Sequence, residues 1–310
     1  MRILFWGTPA FAVPSLRALD DEGYEVVGVV TRPDRPAGRG RHLTASPVKE
    51  VALAQGLPVL TPETPRGDEF MARIRALSPD LSVVVAYGHI LRLDILDVPA
   101  LASINVHASL LPALRGAAPI NWAIARGHQE TGITIMRMVQ AMDAGPVIHT
   151  IREPILAEET ASELTVRLSE LGAEALVEAL AMMAGGRAVE LDQDHAAATF
   201  APKVDRATAR VDWARPAEEL VWHIRGMDAV PGAWTELDGA GVKVFRPVAM
   251  DAPGGAEPGT VVAADDVQGL VVATGAGRLV LGEVQPPGKR RMVVQDWIHG
   301  RGIQAGQRFV

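Results

Sequence analysis

Asn105 and His107 stand two residues apart in Ser103-Ile104-Asn105-Val106-His107-Ala108-Ser109-Leu110-Leu111-Pro112. Ile104 and Val106 are β-branched and apolar, so the segment reads as the end of a buried strand. Alternation along a strand puts both polar side chains on one face. An amide beside an imidazole offers a donor for an oxygen that gains negative charge and a base that titrates near neutral pH. A histidine near a core strand is equally well read as a hydrogen-bonded structural residue, and both readings stand here. Asp143 lies in Gln140-Ala141-Met142-Asp143-Ala144-Gly145. A carboxylate on such a glycine-flanked loop suits orienting or charge-stabilising a histidine, and also suits an ordinary turn.

A second chemical feature is basic. Residues 31–49 read TRPDRPAGRGRHLTASPVK, with Arg32, Arg35, Arg39, Arg41 and Lys49 against the single acid Asp34. Pro33, Pro36, Gly38 and Gly40 keep most of this stretch out of helix or strand. Arginines on a long irregular loop suit phosphate oxygens, and they also suit plain solvation. Lys289, Arg290 and Arg291 form a smaller basic cluster with the same two readings.

Several chemistries are excluded. Cysteine is absent, so there is no disulfide framework, thiolate metal site or Cys nucleophile, and a reducing compartment such as the cytoplasm fits. The eight histidines show no paired metal-ligand spacing, and no metal is expected. Gly7-Thr8-Pro9-Ala10-Phe11-Ala12 has one of the three glycines of a dinucleotide fingerprint, which argues against NAD. No GxSxG or phosphate-binding P-loop pattern occurs. No apolar run is long enough for a membrane helix, so no membrane partner is expected. The net charge of −7 makes the whole chain no obvious nucleic-acid binder, though it hides local patches.

These residues need a scaffold, and 310 residues make about two domains. In the first half, strand-like runs at 3–6, 26–30, 83–86 and 104–106 alternate with helical spacing at 14–19 and 71–77. That pattern predicts an α/β fold with a mostly parallel sheet covered on both faces. Residues 133–138 alternate and read as a further strand. Thr160 and Glu163 have capping-box spacing before Leu164, Leu168, Leu171 and Ala175, which predicts a long helix stopped by Gly185-Gly186. We expect a catalytic domain over 1–190, a linker over 191–208 and a β-rich domain over 209–310, with strands near 242–245, 259–263, 269–274 and 279–281.

The stretch from Asn105 to Pro112 resembles the signature of the folate-dependent formyltransferase family, with Asn105, His107 and Asp143 similar to its catalytic triad. Phe5-Trp6-Gly7-Thr8-Pro9 resembles the family's opening strand and turn. Residues 33–40, Arg115-Gly116-Ala117-Ala118-Pro119-Ile120 and Gln285-Pro286-Pro287-Gly288-Lys289 are similar to stretches of the members that act on initiator methionyl-tRNA. Ala108, Ala113, Leu114 and Arg92 depart from the family pattern.

The resemblance implies formyl transfer from 10-formyltetrahydrofolate to the amine of initiator methionyl-tRNA. It implies a Rossmann-like N-terminal domain and an OB-like C-terminal barrel. Catalysis would fall to Asn105, His107 and Asp143. Tyr87, Gly88, His89, Ile90 and Leu91, with Ser109, Leu110, Leu111 and Pro112, would line the folate site. Arg35, Arg39, Arg41 and Lys289 would contact tRNA, and a monomer is expected. Formylation of another amine, such as an amino-sugar nucleotide, or hydrolysis of the folate are the alternatives.

Overall fold

The apolar N-terminal run forms an inner strand of a seven-stranded sheet in this computed structural model, which describes residues 1–37, 42–252 and 255–310. The chain divides into two compact units. The first comprises Met1–Gly116, Thr131–Pro154 and Thr165–Ala201; the second comprises Ala117–Glu130, Ile155–Leu164 and Pro202–Val310.

Along the chain run β1 (Arg2–Gly7), α1 (Val13–Asp21), β2 (Glu25–Val30), β3 (Arg35–Ala37), β4 (His42–Thr44), α2 (Pro47–Ala54), β5 (Val59–Leu60), α3 (Asp68–Ala76), β6 (Leu81–Val85), α4 (Leu93–Leu96) and β7 (Ala102–His107). Then come α5 (Pro119–Ala125), β8 (Glu130–Arg137), β9 (Val147–Pro154) and α6 (Ala161–Ala184). The sheet order is β5-β2-β1-β6-β7-β8-β9. Strands β5 to β7 in that order run parallel, and β8 turns antiparallel to β7. The order reverses between β1 and β6, so the carboxyl ends of these strands border the crevice where open α/β sheets take ligands.

The parallel strands are buried on both faces, as their unbroken apolar runs require. Leu4, Trp6, Val30 and Val84 pack on one side with Phe70, Met71 and Ile74 of α3. On the other, a methyl built on Gly172 of α6 would sit 3.2 Å from Val106, so the bare glycine lets the helix lie close on β7. The predicted capping box is present: Thr160 N–H donates to Glu163 Oε2 at 2.8 Å, and Glu163 N–H donates to Thr160 Oγ1 at 3.3 Å.

The basic stretch differs from expectation. Pro36 pairs with Leu43 in a small β3–β4 hairpin, and Pro47 opens α2 behind the Ser46 cap. Pro36 is tolerated because, among the described residues, each strand has a single partner, so the side that lacks an N–H faces no ladder.

The second unit contains α5 and α7 (Ala217–Met227), followed by β10 (Trp234–Leu237), β11 (Ala240–Met250), β12 (Val261–Asp265), β13 (Gly269–Ala273), β14 (Arg278–Gln285), β15 (Met292–Val293) and α8 (Val294–His299). Its strands form one antiparallel sheet, ordered β10-β11-β14-β13-β12 with β15 beside β14. The tail closes it. Phe309 bridges Leu237 at one edge, and Arg308 bridges Thr260 at the other. The result is a small barrel packed around Trp213, Leu220, Val244, Leu281 and Phe309. Among the described residues, no helix is long and apolar enough to cross a membrane.

Candidate active site

Register alone places the two central side chains. Asn105 sits between Val84 of β6 and Met136 of β8, and His107 lies opposite Thr134 of β8. Both therefore face the Trp6 and Val84 side of the sheet at the carboxyl end of β7, as alternation predicts. His107 is 5% exposed, so its ring nitrogens must find partners within the fold.

They do. Nε2 lies 3.1 Å from the Leu114 carbonyl, and Nδ1 lies 3.8 Å from Asp143 Oδ2. A carbonyl only accepts, so Nε2 carries the proton and Nδ1 of the neutral ring is the free base. Leu114 holds that carbonyl inward from a left-handed backbone, φ 60°. Asp143 is also left-handed, φ 50°, and its Oδ2 accepts the Gly116 N–H at 2.8 Å. Glycine is required on both flanks of this contact. A methyl on Gly116 would meet the Ala201 carbonyl oxygen at 2.7 Å, and one on Gly145 would meet the Arg137 carbonyl oxygen at 1.9 Å.

Ser109 is buried and donates to the Ala113 carbonyl at 2.6 Å. Thr134 Oγ1 donates to the Ser109 carbonyl and accepts the Leu111 N–H. The residues from Ser109 to Pro112, with Leu110 and Leu111 half-buried, are thus knotted to β8 beside His107. After β6 the chain turns through Ala86, φ 47°, and Gly88, φ 88°. Tyr87 is buried edge-on against Trp6, with ring centroids 5.3 Å apart, and lies 5.5 Å from the His89 ring. Leu91 is buried, whereas Ile90 is 79% exposed beside it.

Tyr87 Oη, His89 Nε2 and Arg32 Nε are occluded without a hydrogen-bond partner among the described residues. Burial pushes the Tyr87 hydroxyl up to about 12, with Arg32 pulling weakly the other way. Burial, then the charges of Arg32 and Arg35, push the His89 imidazole down. Glu63 acts weakly the other way.

Arg35 is exposed on β3, and Lys289 is exposed in the turn between β14 and β15. Arg39 and Arg41 lie outside the described residues. Spacing alone missed the groups that hold the site from a distance. Leu114 acts through its carbonyl, which its residue type does not announce. Arg115 is buried and pairs with Gln193, 78 positions away. No motif connects them.

Residues 1–180 match the family model described as formyl transferase, and residues 203–302 match the one described as formyl transferase, C-terminal domain. The methionyl-tRNA formyltransferase of Symbiobacterium thermophilum is 50% identical over 310 residues, covering 100% of this chain and 95% of its own. That of Bacillus subtilis is 47% identical, covering 98% of this chain and 96% of its own. A solved structure, methionyl-tRNA formyltransferase from Clostridium thermocellum, has the same fold at 14% identity: TM-score 0.59, over 82% of this chain and 95% of that one. With both domain models matched along the chain and relatives this similar over its whole length, the protein belongs to the formyl transferase family.

Proposed function

We propose that the protein moves a formyl group from 10-formyltetrahydrofolate to the α-amino group of initiator methionyl-tRNA. The observation that carries this reading is the placement of Asn105, His107 and Asp143 at one strand end, with His107 Nδ1 free and 3.8 Å from a carboxylate. Full-length relatives that bear that activity in their names support it.

The folate fits the residues present. A flat heterocycle with hydrogen-bonding edges suits a segment that leaves Tyr87 Oη and His89 Nε2 without partners beside the exposed Ile90. Tyr87 to Leu91 and Ser109 to Pro112 would hold it, and it supplies an activated formyl carbon.

The chain's own residues do the rest. The amine lone pair forms the new C–N bond while the carbonyl π pair moves onto oxygen. Asn105 donates to that oxygen. His107 Nδ1 takes the amine proton, and the Asp143 carboxylate stabilises the resulting imidazolium. The oxygen pair then re-forms the C=O bond, the old C–N bond breaks with its pair going to the folate nitrogen, and that nitrogen takes the proton held on His107. The Leu114 carbonyl keeps Nε2 protonated throughout, so Nδ1 does the work.

In this reading Arg35, Arg39 and Arg41 approach the phosphates of the acceptor end, and Lys289 on the barrel adds a further phosphate interaction. The protein works in the cytoplasm as a monomer. The test is formyl transfer from 10-formyltetrahydrofolate, offered initiator Met-tRNA beside elongator Met-tRNA, uncharged tRNA and an amino-sugar nucleotide. Formyl-Met-tRNA from the initiator alone is expected. Transfer to the sugar, or release of formate without an acceptor, would replace the reading.

A further inference from the structure

We infer that Gln193 is a positioning residue for Asp143, and that residues 193–201 are part of the active-site framework. The inference deepens the formyl-transfer reading and rests on it for its kinetic arm.

Asp143 has no regular secondary structure to hold it. It is a non-glycine residue with φ 50°, in a turn between β8 and β9. Its carboxylate is held by the Gly116 N–H. What holds its backbone comes from 50 residues further along. Gln193 Nε2 donates to the Asp143 carbonyl at 2.9 Å and to the Gly145 carbonyl at 2.7 Å. One amide group thus clamps both ends of the Asp143 turn. Its other end is equally committed: Oε1 accepts from Arg115 Nε at 3.1 Å and from Arg115 Nη2 at 2.6 Å.

This arrangement fixes the amide's orientation. Turned over, it would set its oxygen against two carbonyls and its NH2 against a guanidinium. Gln193 is 8% exposed and Arg115 is 6% exposed, so water is no ready substitute. No other side chain supplies both halves. Glutamate has no donor, and asparagine is one methylene too short.

The same segment touches the other side of the histidine. Thr199 Oγ1 accepts the Leu114 N–H at 2.9 Å, and Thr199 O accepts the Arg115 N–H at 2.9 Å. Ala201 N–H donates to the Arg115 carbonyl at 2.7 Å. Arg115 closes the circuit by reaching His195 Nδ1 at 3.0 Å. Leu114 presents the carbonyl that sets the His107 tautomer, and Asp143 presents the carboxylate that faces its base. Residues 193–201 therefore brace both partners of His107 without touching the ring. Groups that orient a charged partner in this way act on turnover more than on substrate binding.

The test uses the full chain carrying Gln193→Glu, which keeps the pairing with Arg115 but cannot donate to either carbonyl, and Gln193→Asn, which keeps the chemistry but falls short in reach. Three quantities are read: the urea midpoint, kcat and KM for both substrates, and hydrogen exchange of the Gly116 amide. We expect folded variants with somewhat lower midpoints, since two carbonyls lose their donor, a kcat lower by about 10²-fold, and unchanged KM values. Gly116 should exchange faster in both variants while amides of β1 and β7 stay protected, because the carboxylate it donates to has moved.

Wild-type kcat in either variant would overturn the assignment. So would a kcat loss with Gly116 exchange unchanged. If both variants are unfolded where the parent is folded, Gln193 is a stability residue and the assignment is equally overturned. A parent that transfers no formyl group would sink the functional reading instead. The exchange arm needs no substrate and still decides whether Gln193 holds Asp143.

Discussion

His107 offers its Nδ1 to the Asp143 carboxylate at 3.8 Å, outside direct hydrogen-bond range, while Leu114 holds the opposite nitrogen at 3.1 Å. The charge of Asp143 thus acts across a gap, and the tautomer is set elsewhere. His107→Ala should lower kcat by about 10²–10⁴-fold, the usual worth of a general base. Asn105→Ala should lower it by about 10²–10³-fold, as for removal of one oxyanion donor. Asp143→Asn keeps an acceptor for Gly116 N–H but removes the negative charge, so kcat should fall with KM little changed. Steady-state kinetics of the three variants check this. Near-normal turnover for His107→Ala would remove His107 from the chemistry.

The basic stretch over residues 31–49 makes a separate prediction, about affinity. Arg35→Ala, Arg39→Ala and Arg41→Ala should each weaken tRNA binding and reduce its salt slope by about one for each phosphate no longer engaged. KM for the folate should stay put. Filter binding across a salt series measures the slope. A folate KM that rises in step with the tRNA Kd would move these arginines into the folate site.

At the capping box, Thr160→Ala should cost about 1 kcal/mol in urea unfolding near neutral pH. The Thr160 backbone N–H, then its hydroxyl, hold the Glu163 carboxyl below its ordinary value, with a smaller contribution from Arg246. A folded value below the unfolded one stabilises above the ordinary carboxylate range and fades as pH falls through the folded value. The gap between the variant and the parent should therefore narrow in acid. A gap that stays constant well below the carboxylate range would assign the cost to the threonine hydroxyl alone.

On α7, His223 is buried and its Nε2 has no partner among the described residues. Burial, then the charge of Arg215, push it below the ordinary 6.5, and the backbone of Ala209 and Arg210 restrains the shift. The unfolded chain then binds a proton that the folded chain resists. Stability should be level above about pH 6.5 and fall as pH drops below it. His223→Asn should flatten that slope, as read by urea midpoints taken on either side of neutrality.

Some of this architecture is legible in the residues themselves, because the forces that set it are local. The in-phase pair Asn105 and His107 follows from strand alternation, and the Thr160–Glu163 box follows from spacing. The β3–β4 hairpin was hidden by Pro33, Pro36 and the glycines, whose turn propensity outweighs two three-residue strands on any local reading. Strand β12 begins two residues later than the apolar run suggests, although the Gly259 N–H already donates to the Ala273 carbonyl of β13. The clamp from Gln193 to Asp143 and the barrel-closing pairs of Phe309 and Arg308 were illegible for another reason. They join residues far apart in the chain, and nothing in either residue type selects its partner.

The division of the chain has a consequence for how it can be built and cut. Asn121 donates to the Gly226 carbonyl at 2.7 Å, and Trp122 donates to the Pro202 carbonyl, so α5 finds its companions about a hundred positions downstream. A methyl on Gly226 would strike Ala125, so α5 and α7 meet backbone to backbone. During synthesis α5 must wait, partnerless, until α7 emerges, and such distant closures fold slowly. Severing the chain at residue 201 would free no self-sufficient half. It would strand Trp122 and Ala125, which pack with the core of the second unit, and we expect that fragment to aggregate where the whole protein does not.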